Sequence, residues 1–432
     1  MKKYIILTGT IARMGGAQMY VSNKAKYVKK KGWQEFVFSG DRGPILINNL
    51  QKYERNIIQD LDEAPQFYSR KNRIKIIERI VKIIEATPKD DIIIESNTIV
   101  SAYWAELLAQ RINCKHCIFL LGEEFRVTLS QKEFFKYKLN RNELSVIKER
   151  SLKILFGENF SIENPEQYVL VAPCNNVVDD VQDSRFDNIQ YKKYDHVICS
   201  LGRLDKKYIP TVIKGFEKFA QNTKDRILYI FIGDQPEEYP IDIPEKIKSV
   251  FQELDNVTLL LPGYVFPIPR SIMKNIDLAI ASSGSAAVLA DEGVTTITMD
   301  GEDGQPIGVL GYDTQERLFR TEPQKFELSD LMNEVIFNDY LSRFEYHIEK
   351  GLDDDAYMEQ HFDFIKRSKQ SKEFYNVELF KNNRPKLLFK RIFINCFGVF
   401  WYRKLSENVH KRCKLISKGK FEGKRKNEKG CK

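Results

Sequence analysis

The sequence predicts an α/β protein built as two successive domains, each a parallel sheet with crossover helices. Three observations lead there. Short apolar runs that end in small or polar residues alternate with longer stretches of helical period. The alternation runs through the first half of the chain and then repeats in the second. At 432 residues the chain also exceeds what a single hydrophobic core usually serves.

In the first half the strand candidates are YIILT (4–8), EFVFS (35–39), DIIIES (91–96), CIFLL (117–121), KILFG (153–157) and YVLVAP (168–173). Helical spacing covers Ala17 to Lys31, Arg73 to Glu85 and Val100 to Arg111. The second half offers VICSL (197–201), ILYIFIG (227–233), VTLLLP (257–262), LAIAS (278–282) and TTITM (295–299), with helices around Ile209 to Gln221, Glu245 to Leu254 and Ala286 to Glu292. The Asp-, Asn- and Gln-rich residues Asn175 to Tyr194 read as the linker. Ligands of open α/β sheets bind beyond the carboxyl ends of the strands, so a cleft faced by both sheets is the expected active site.

A composition of 42% hydrophobic and 30% charged residues is that of a globular chain and argues against general disorder. The net charge of +8 hides an asymmetry: residues 381–432 hold 17 Lys and Arg against 3 Glu, or +14, which leaves 8 − 14 = −6 for residues 1–380. Seven scattered cysteines do not make a disulfide framework and suit a reducing cytoplasm. Cys114 and Cys117 form a CxxC, but no second pair lies at zinc-finger spacing, and packing is the expected role. The apolar run at the start stops at Leu7, too short for a signal-peptide core, and reads as a first strand. The longest nearly apolar stretch, Ile392 to Tyr402, is about half of the ~20 residues a membrane-spanning helix needs.

The residues with chemistry cluster at strand ends. In GRLDKK (202–207) a strand runs into Gly202, which lets the backbone approach a ligand, while Arg203, Lys206 and Lys207 supply charge for a diphosphate. Gly15 and Gly16 precede a helix whose first N–H groups and dipole can hold an anion, with Arg13 as an accessory cation; a tight strand-to-helix turn is the plain alternative. Ser282, Ser283, Gly284 and Ser285 close a strand and open a helix, where they can cap the helix and also cradle a phosphate. Asp300, Glu302 and Asp303 form an acidic loop, read as solvated and, when occupied, as a partner for sugar hydroxyls rather than for a metal.

Taken in order, GRLDKK, FIGDQ (231–235), NVTLLLPGYV (256–265), DLAIASSGS (277–285) and ADEG (290–293) resemble the C-terminal domain of GT-B glycosyltransferases, particularly family 4. GTIARMGGAQMYVSNKAKYVKKKGW (9–33) looks like the matching first loop and helix. The resemblance implies two Rossmann-like domains, residues 1–175 for the acceptor and 176–345 for the nucleotide-sugar donor, with a helical segment 346–380 returning to the first domain and a basic amphipathic tail 381–432. It implies that Arg203 holds the donor diphosphate together with Lys207 or Lys206, the lysine standing one residue nearer the arginine than in the family pattern. It places Glu123 and Glu124 where family members often carry a cleft histidine. A carboxylate there is either a general base or, with Glu124 and Arg126, part of a solvated turn; Glu95, Ser96 and Asn97, which end the preceding strand, either line the acceptor side or do not. The family's second glutamate, five residues before a glycine, falls at Val288 here, which can neither hydrogen-bond a ribose nor stabilise charge.

The tail segment KLLFKRIFINCFGVFWYRK (386–404) has cations at both ends of an apolar middle. On a helical wheel Arg391, Asn395, Gly398 and Tyr402 form a narrow polar stripe, with Leu387, Phe389, Ile392, Phe393, Phe397, Phe400 and Trp401 directed away from it. Such a helix suits an anionic membrane surface, a helix packed on the protein body being the alternative and nucleic acid the weakest reading. The expected activity is transfer of a sugar from a nucleotide-diphosphate donor to a hydroxyl acceptor, with no cofactor and no metal. The acceptor would be a lipid-linked glycan of bacterial surface polysaccharide synthesis, met in the cytoplasm at the inner face of the membrane. The alternatives are a nucleotide-sugar epimerase of the same fold and a catalytically silent scaffold.

Overall fold

A computed structural model of the chain describes residues 1–122, 127–235, 241–349, 353–368, 373–377 and 385–406. It divides into two compact units, Met1–Pro173 with Asp353–Lys432, and Cys174–Leu352.

The first unit carries strands β1 (Lys2–Leu7), β2 (Gln34–Phe38), β3 (Asp91–Ser96), β4 (Lys115–Leu120) and β5 (Leu144–Val146), all parallel, in the order β2-β1-β3-β4-β5. Its helices are α1 (Gly16–Lys30), α2 (Asn48–Gln51), α3 (Arg70–Ile84), α4 (Ile99–Ile112), α5 (Leu129–Leu139) and α6 (Glu149–Phe156). The second unit holds β6 (Val178–Asp179), β7 (His196–Leu201), β8 (Ile227–Ile232), β9 (Val257–Gly263), β10 (Ile268–Pro269), β11 (Leu278–Ala281), β12 (Thr296–Met299) and β13 (Pro306–Val309). Its helices are α7 (Ile209–Gln221), α8 (Ile243–Phe251), α9 (Arg270–Met273), α10 (Gly284–Asp291) and α11 (Leu328–Phe337). The chain then returns to the first unit with α12 (Asp354–Arg367) and α13 (Pro385–Phe397).

The six-stranded sheet of the second unit runs β13-β12-β11-β7-β8-β9, and only β13 is antiparallel. Each face of this sheet has its own core. Ile198, Tyr229, Phe231 and Ile280 pack against α7, α8 and α11, while Cys199, Leu201, Ile230 and Ala279 pack against α9 and α10. That is why these strands read as unbroken apolar runs rather than as an alternation.

Two expected strands are not strands. KILFG lies in α6, because Leu152 and Leu155 are buried three residues apart, which is helical spacing. YVLVAP is mostly irregular, with one bridge from Val169 to Val146; the strand position belongs to the short run LSV of β5. The polar stretch 175–194 is not a free linker either: β6 pairs with β10, and Phe186 sits in the core of the second unit.

In the first unit, one sheet face packs Ile5, Leu7, Ile92 and Ile94 against α3 and α4. The other face, covered by α1 and α12, contains charge. The Glu95 carboxylate, buried, accepts hydrogen bonds from the hydroxyls of Tyr4 (2.6 Å) and Tyr20 (2.8 Å) and from the Asn97 amide (3.0 Å), with Lys24 Nζ 3.5 Å away. Burial acts to raise the Glu95 pKa, but Lys24 and these donors outweigh it and hold the carboxyl below its usual range. Lys24 Nζ also lies over the rings of Tyr4 (5.5 Å) and Phe362 (5.1 Å).

His361 of α12 completes the cluster. Its Nε2 donates to the Val171 carbonyl (2.8 Å), an acceptor only, so Nε2 carries the proton and Nδ1 faces the Tyr20 hydroxyl at 3.2 Å. Burial, with Lys24 nearby, lowers its pKa to about 3. The unfolded chain takes up this proton near pH 6.5 and the folded chain does not. Stability is therefore expected to fall as pH drops from about 6.5 toward 3, by at most ~1.4 kcal/mol per pH unit from this residue. Urea titrations at pH 7 and pH 5 should show that loss, and His361→Gln should show less of it.

Candidate functional site

The second unit begins its sheet in the middle: β8 and β9 lie on one side of β7, β11 and β12 on the other. The switch point between β7 and β11 is where an open sheet parts its loops and leaves a crevice. Leu201 and Ala281 are register partners, so the loops starting at Gly202 and Ser282 leave the sheet side by side.

The first of these loops is GRLDKK. Gly202 has φ 150°, and its N–H donates to the Ile232 carbonyl (3.0 Å). A Cβ at Gly202 would stand 2.5 Å from the Tyr208 hydroxyl. Leu204 N–H donates to the Asp234 carbonyl (3.0 Å), and the Leu204 side chain is anchored in the core. The neighbouring turn approaches so closely that a Cβ on Gly233 (φ 148°) would lie 1.9 Å from the Gly202 carbonyl oxygen. The loop is thus gripped at its base while Arg203, Lys206 and Lys207 are exposed. The Arg203 guanidinium holds Asp205 in a two-pronged pair at 3.0 and 3.1 Å. Asp205, which stands two residues after the arginine, is therefore part of the loop's charge arrangement alongside the three cations.

The second loop is Ser282 to Ser285. Ser283 stands at the N-cap of α10 with φ 59°, a left-handed conformation uncommon for a serine, and its side chain makes no cap hydrogen bond. Its N–H donates to the Arg317 carbonyl (2.5 Å), and the buried Ser282 hydroxyl has no protein partner. Neither hydroxyl is therefore occupied with capping the helix. Gly284 gives room for Asn175, whose Oδ1 would stand 2.4 Å from a Cβ there.

The acidic loop after β12 folds on itself. Asp300 is buried; desolvation would raise its pKa, but N–H groups of Arg320 (2.9 Å), Glu302 (2.6 Å) and Asp303 (3.2 Å) hold the carboxyl below its usual range. Asp303 pairs with Arg320, and the loop touches the lysine turn, where a Cβ on Gly304 would be 2.8 Å from the Lys207 carbonyl. No group of three metal-ligating side chains occurs among the described residues. Val288 is buried in α10, the Glu292 carboxylate is held by Arg270, and Asp291 is exposed, so none of these acids replaces the expected glutamate at position 288.

In the first unit the switch point lies between β1 and β3. The loop after β1 packs near Thr98, with a Cβ on Gly9 3.2 Å from the Thr98 methyl, and leads to Gly15 at the N-cap of α1. That helix start has no side-chain cap and no acid in its first turn. Gly15 itself is extended, at φ 177°, and a Cβ there would meet only the end of the flexible Gln18 side chain, at 2.9 Å, so neither backbone angle nor space demands a glycine. Arg13 donates its N–H to Pro44 at φ 67°.

The expected acceptor-side residues are in the core instead. Glu95 is committed to the network described above. Ser96 Oγ lies 2.9 Å from His116 Nε2, and the other nitrogen of that ring meets Glu106 (2.7 Å), itself 2.6 Å from Lys138. Asn97 is fully buried. The reason is topological: residues at the end of a central parallel strand still lie between two helical layers. Glu123 and Glu124 lie outside the described residues. Cys114 and Cys117 are free thiols, and burial pushes Cys117 up to about 11, which leaves it unreactive.

No protein-family profile and no curated protein matches the sequence. Solved structures do match in shape. A glycosyltransferase from Rickettsia africae ESF-5 aligns with a TM-score of 0.52 at 14% identity, over 84% of this chain and 96% of that one. Anabaena Alr3699/HepE, solved in complex with UDP-glucose, aligns with a TM-score of 0.52 at 14% identity, over 85% and 96%. At that identity the likeness establishes the fold, an α/β GT-B architecture with a helical C-terminal region.

The contact between Gly233 and Gly202 yields a direct test. Gly233→Ala forces the base of the GRLDKK loop to move and should destabilise the protein by about 2–3 kcal/mol in denaturant titration. Gly293→Ala, at φ 82° with nothing within 4 Å of its Cβ, meets only backbone strain and should lose about 1 kcal/mol.

Proposed function

We propose that the chain is a nucleotide-sugar-dependent glycosyltransferase, with the donor held by the second unit. The observation that carries this reading is the pairing, at one switch point, of a gripped loop bearing exposed cations with a helix start whose serines are not used as caps. Arg203, Lys206 and Lys207 take the diphosphate from one side. Ser283 meets it from the other side with its hydroxyl, and Gly284 and Ser285 with their N–H groups and the positive end of α10. As charge builds on the leaving diphosphate, these fixed donors stabilise it without having to reorganise. The diphosphate takes the place of Asp205 on the Arg203 fork.

The bound UDP-glucose of the Anabaena neighbour supports a nucleotide diphosphate hexose as the donor class. The resemblance assigns Gly15 and Gly16, with Arg13, to the sugar or phosphates, and the uncapped start of α1 supports that assignment. The general-base role stays with Glu123 and Glu124. The acceptor is a glycan hydroxyl, and a lipid-linked glycan of surface polysaccharide synthesis is the form that the C-terminal helix favours. Attachment at the inner face of the membrane belongs to the same reading.

A donor-binding scaffold without turnover is the second reading, and Val288 favours it, since an aliphatic side chain at that place contributes nothing to a charged transition state. Thermal shift against a set of nucleoside diphosphates and their sugars tests the shared premise. At 100-fold excess over Kd, a genuine donor should stabilise the chain by about 2.7 kcal/mol. Arg203→Ala and Lys207→Ala should each weaken apparent affinity by about tenfold. No stabilisation by any nucleotide sinks the donor site. Release of free nucleotide from the stabilising sugar, with or without acceptor, then separates enzyme from scaffold.

A further inference from the structure

The C-terminal helices are attached to the first unit by their polar side. Asn395 of α13 accepts from the Ser69 N–H (2.7 Å) and the Asn72 amide (3.1 Å) and donates to the Phe67 carbonyl (2.8 Å). Lys390 pairs with Glu63 (2.6 Å) and lies over the rings of Phe67 (4.5 Å) and Tyr402 (5.0 Å). After Gly398 the helical path resumes over 399–406, where Arg403 pairs with Asp62 and Val399 is buried. Ile394 joins the core beneath.

Packing on the body therefore uses Asn395 and Tyr402 of the polar stripe and leaves the broad apolar face outside. Leu388, Phe389, Ile392, Phe397, Phe400 and Trp401 are each about half exposed, between 49% and 61%. Soluble surfaces scatter single exposed apolar residues; six large ones on consecutive helical turns form a patch that calls for a cover.

The charge around the patch selects what covers it. Residues 385–406 include Lys386, Lys390, Arg391, Arg403 and Lys404 and no Asp or Glu. Lys404 Nζ sits 5.3 Å over the Trp401 ring, and Arg391 is exposed beside Ile392. The following sequence, 407–432, adds ten Lys and Arg against three Glu. A second copy would bring the same positive charge against this one. An anionic lipid surface supplies both apolar depth for the rings and negative charge for the rim. Among the described residues no helix is long and apolar enough to cross a membrane, which suits a helix lying in the interface plane.

We infer that this face is a docking platform for an anionic bilayer, with the aromatic and aliphatic residues above entering the headgroup boundary and the Asn395 clamp holding the protein body on the opposite side. The clamp sets which side of the first unit faces the lipid, something a loosely tethered basic tail would not do. The inference does not depend on the donor reading.

Flotation of the full chain with phosphatidylcholine vesicles, with and without phosphatidylglycerol, tests it. The chain should float with the anionic vesicles, and its Trp401 emission, isolated by difference against Trp401→Phe, should shift to the blue. Combined Phe397→Ser and Trp401→Ser, both exposed and not expected to alter thermal melting, should lower vesicle binding at least about tenfold. Four results overturn the platform: no flotation of the wild type, equal flotation with pure phosphatidylcholine, undiminished binding of the double variant, or self-association that the substitutions abolish while vesicles bind nothing. Nucleotide stabilisation is read without vesicles, so either proposal can fail alone.

Discussion

A parallel sheet must bury both of its faces, and the organisation of this protein follows from that constraint. In the second unit α7, α8 and α11 cover one face and α9 and α10 the other, so the strands have no surface to devote to a ligand. Chemistry is confined to the strand ends. The first unit needs the same cover, and the chain returns from residue 353 onward with α12 to provide part of it. Tyr4 and Trp33 pack on Phe362, and His361 meets Tyr20 and Val171.

The cover is also why the first unit tolerates ionised groups within its core. A lone buried carboxylate would protonate or unfold the chain; Glu95 stays charged because two tyrosines, an asparagine and Lys24 converge on it. The second buried set, His116, Glu106, Lys138 and Glu143, follows the same logic on the other side of the sheet, with Lys138 bridging the two glutamates at 2.6 and 3.1 Å. Burial would raise the Glu106 pKa, yet Lys138 and His116 lower it to about 2. These groups tie elements distant in sequence, and their polarity serves cohesion rather than ligand chemistry.

Where the sheets end, rigidity and exposure coexist. Gly202 and Gly233 bring two backbones together more closely than any side chain would allow, so the cationic loop has a fixed base below its exposed side chains. Asp300 fixes the next loop through three backbone N–H groups.

Most of the regular elements and the place of the cationic loop are legible in the residues, because burial on both faces writes continuous apolar runs and helix packing writes a 3.6-residue period. Ile209–Gln221 and Asp91–Ser96 were legible to the residue. The residues misled at 153–157, where a short apolar run fits either period, and gave no sign of β13, whose PIGV has no distinctive pattern. That Glu95, Ser96 and Asn97 belong to the core emerges only from the folded chain, since side-chain depth depends on α12, contributed from more than 250 residues away, as well as on helices nearby. Likewise, amphipathic spacing announced two faces on α13, but the acceptors and donors at Phe67, Ser69 and Asn72 turn the side bearing Asn395 inward. Periodicity records that a helix has sides; the partner available to each side is a property of the folded chain.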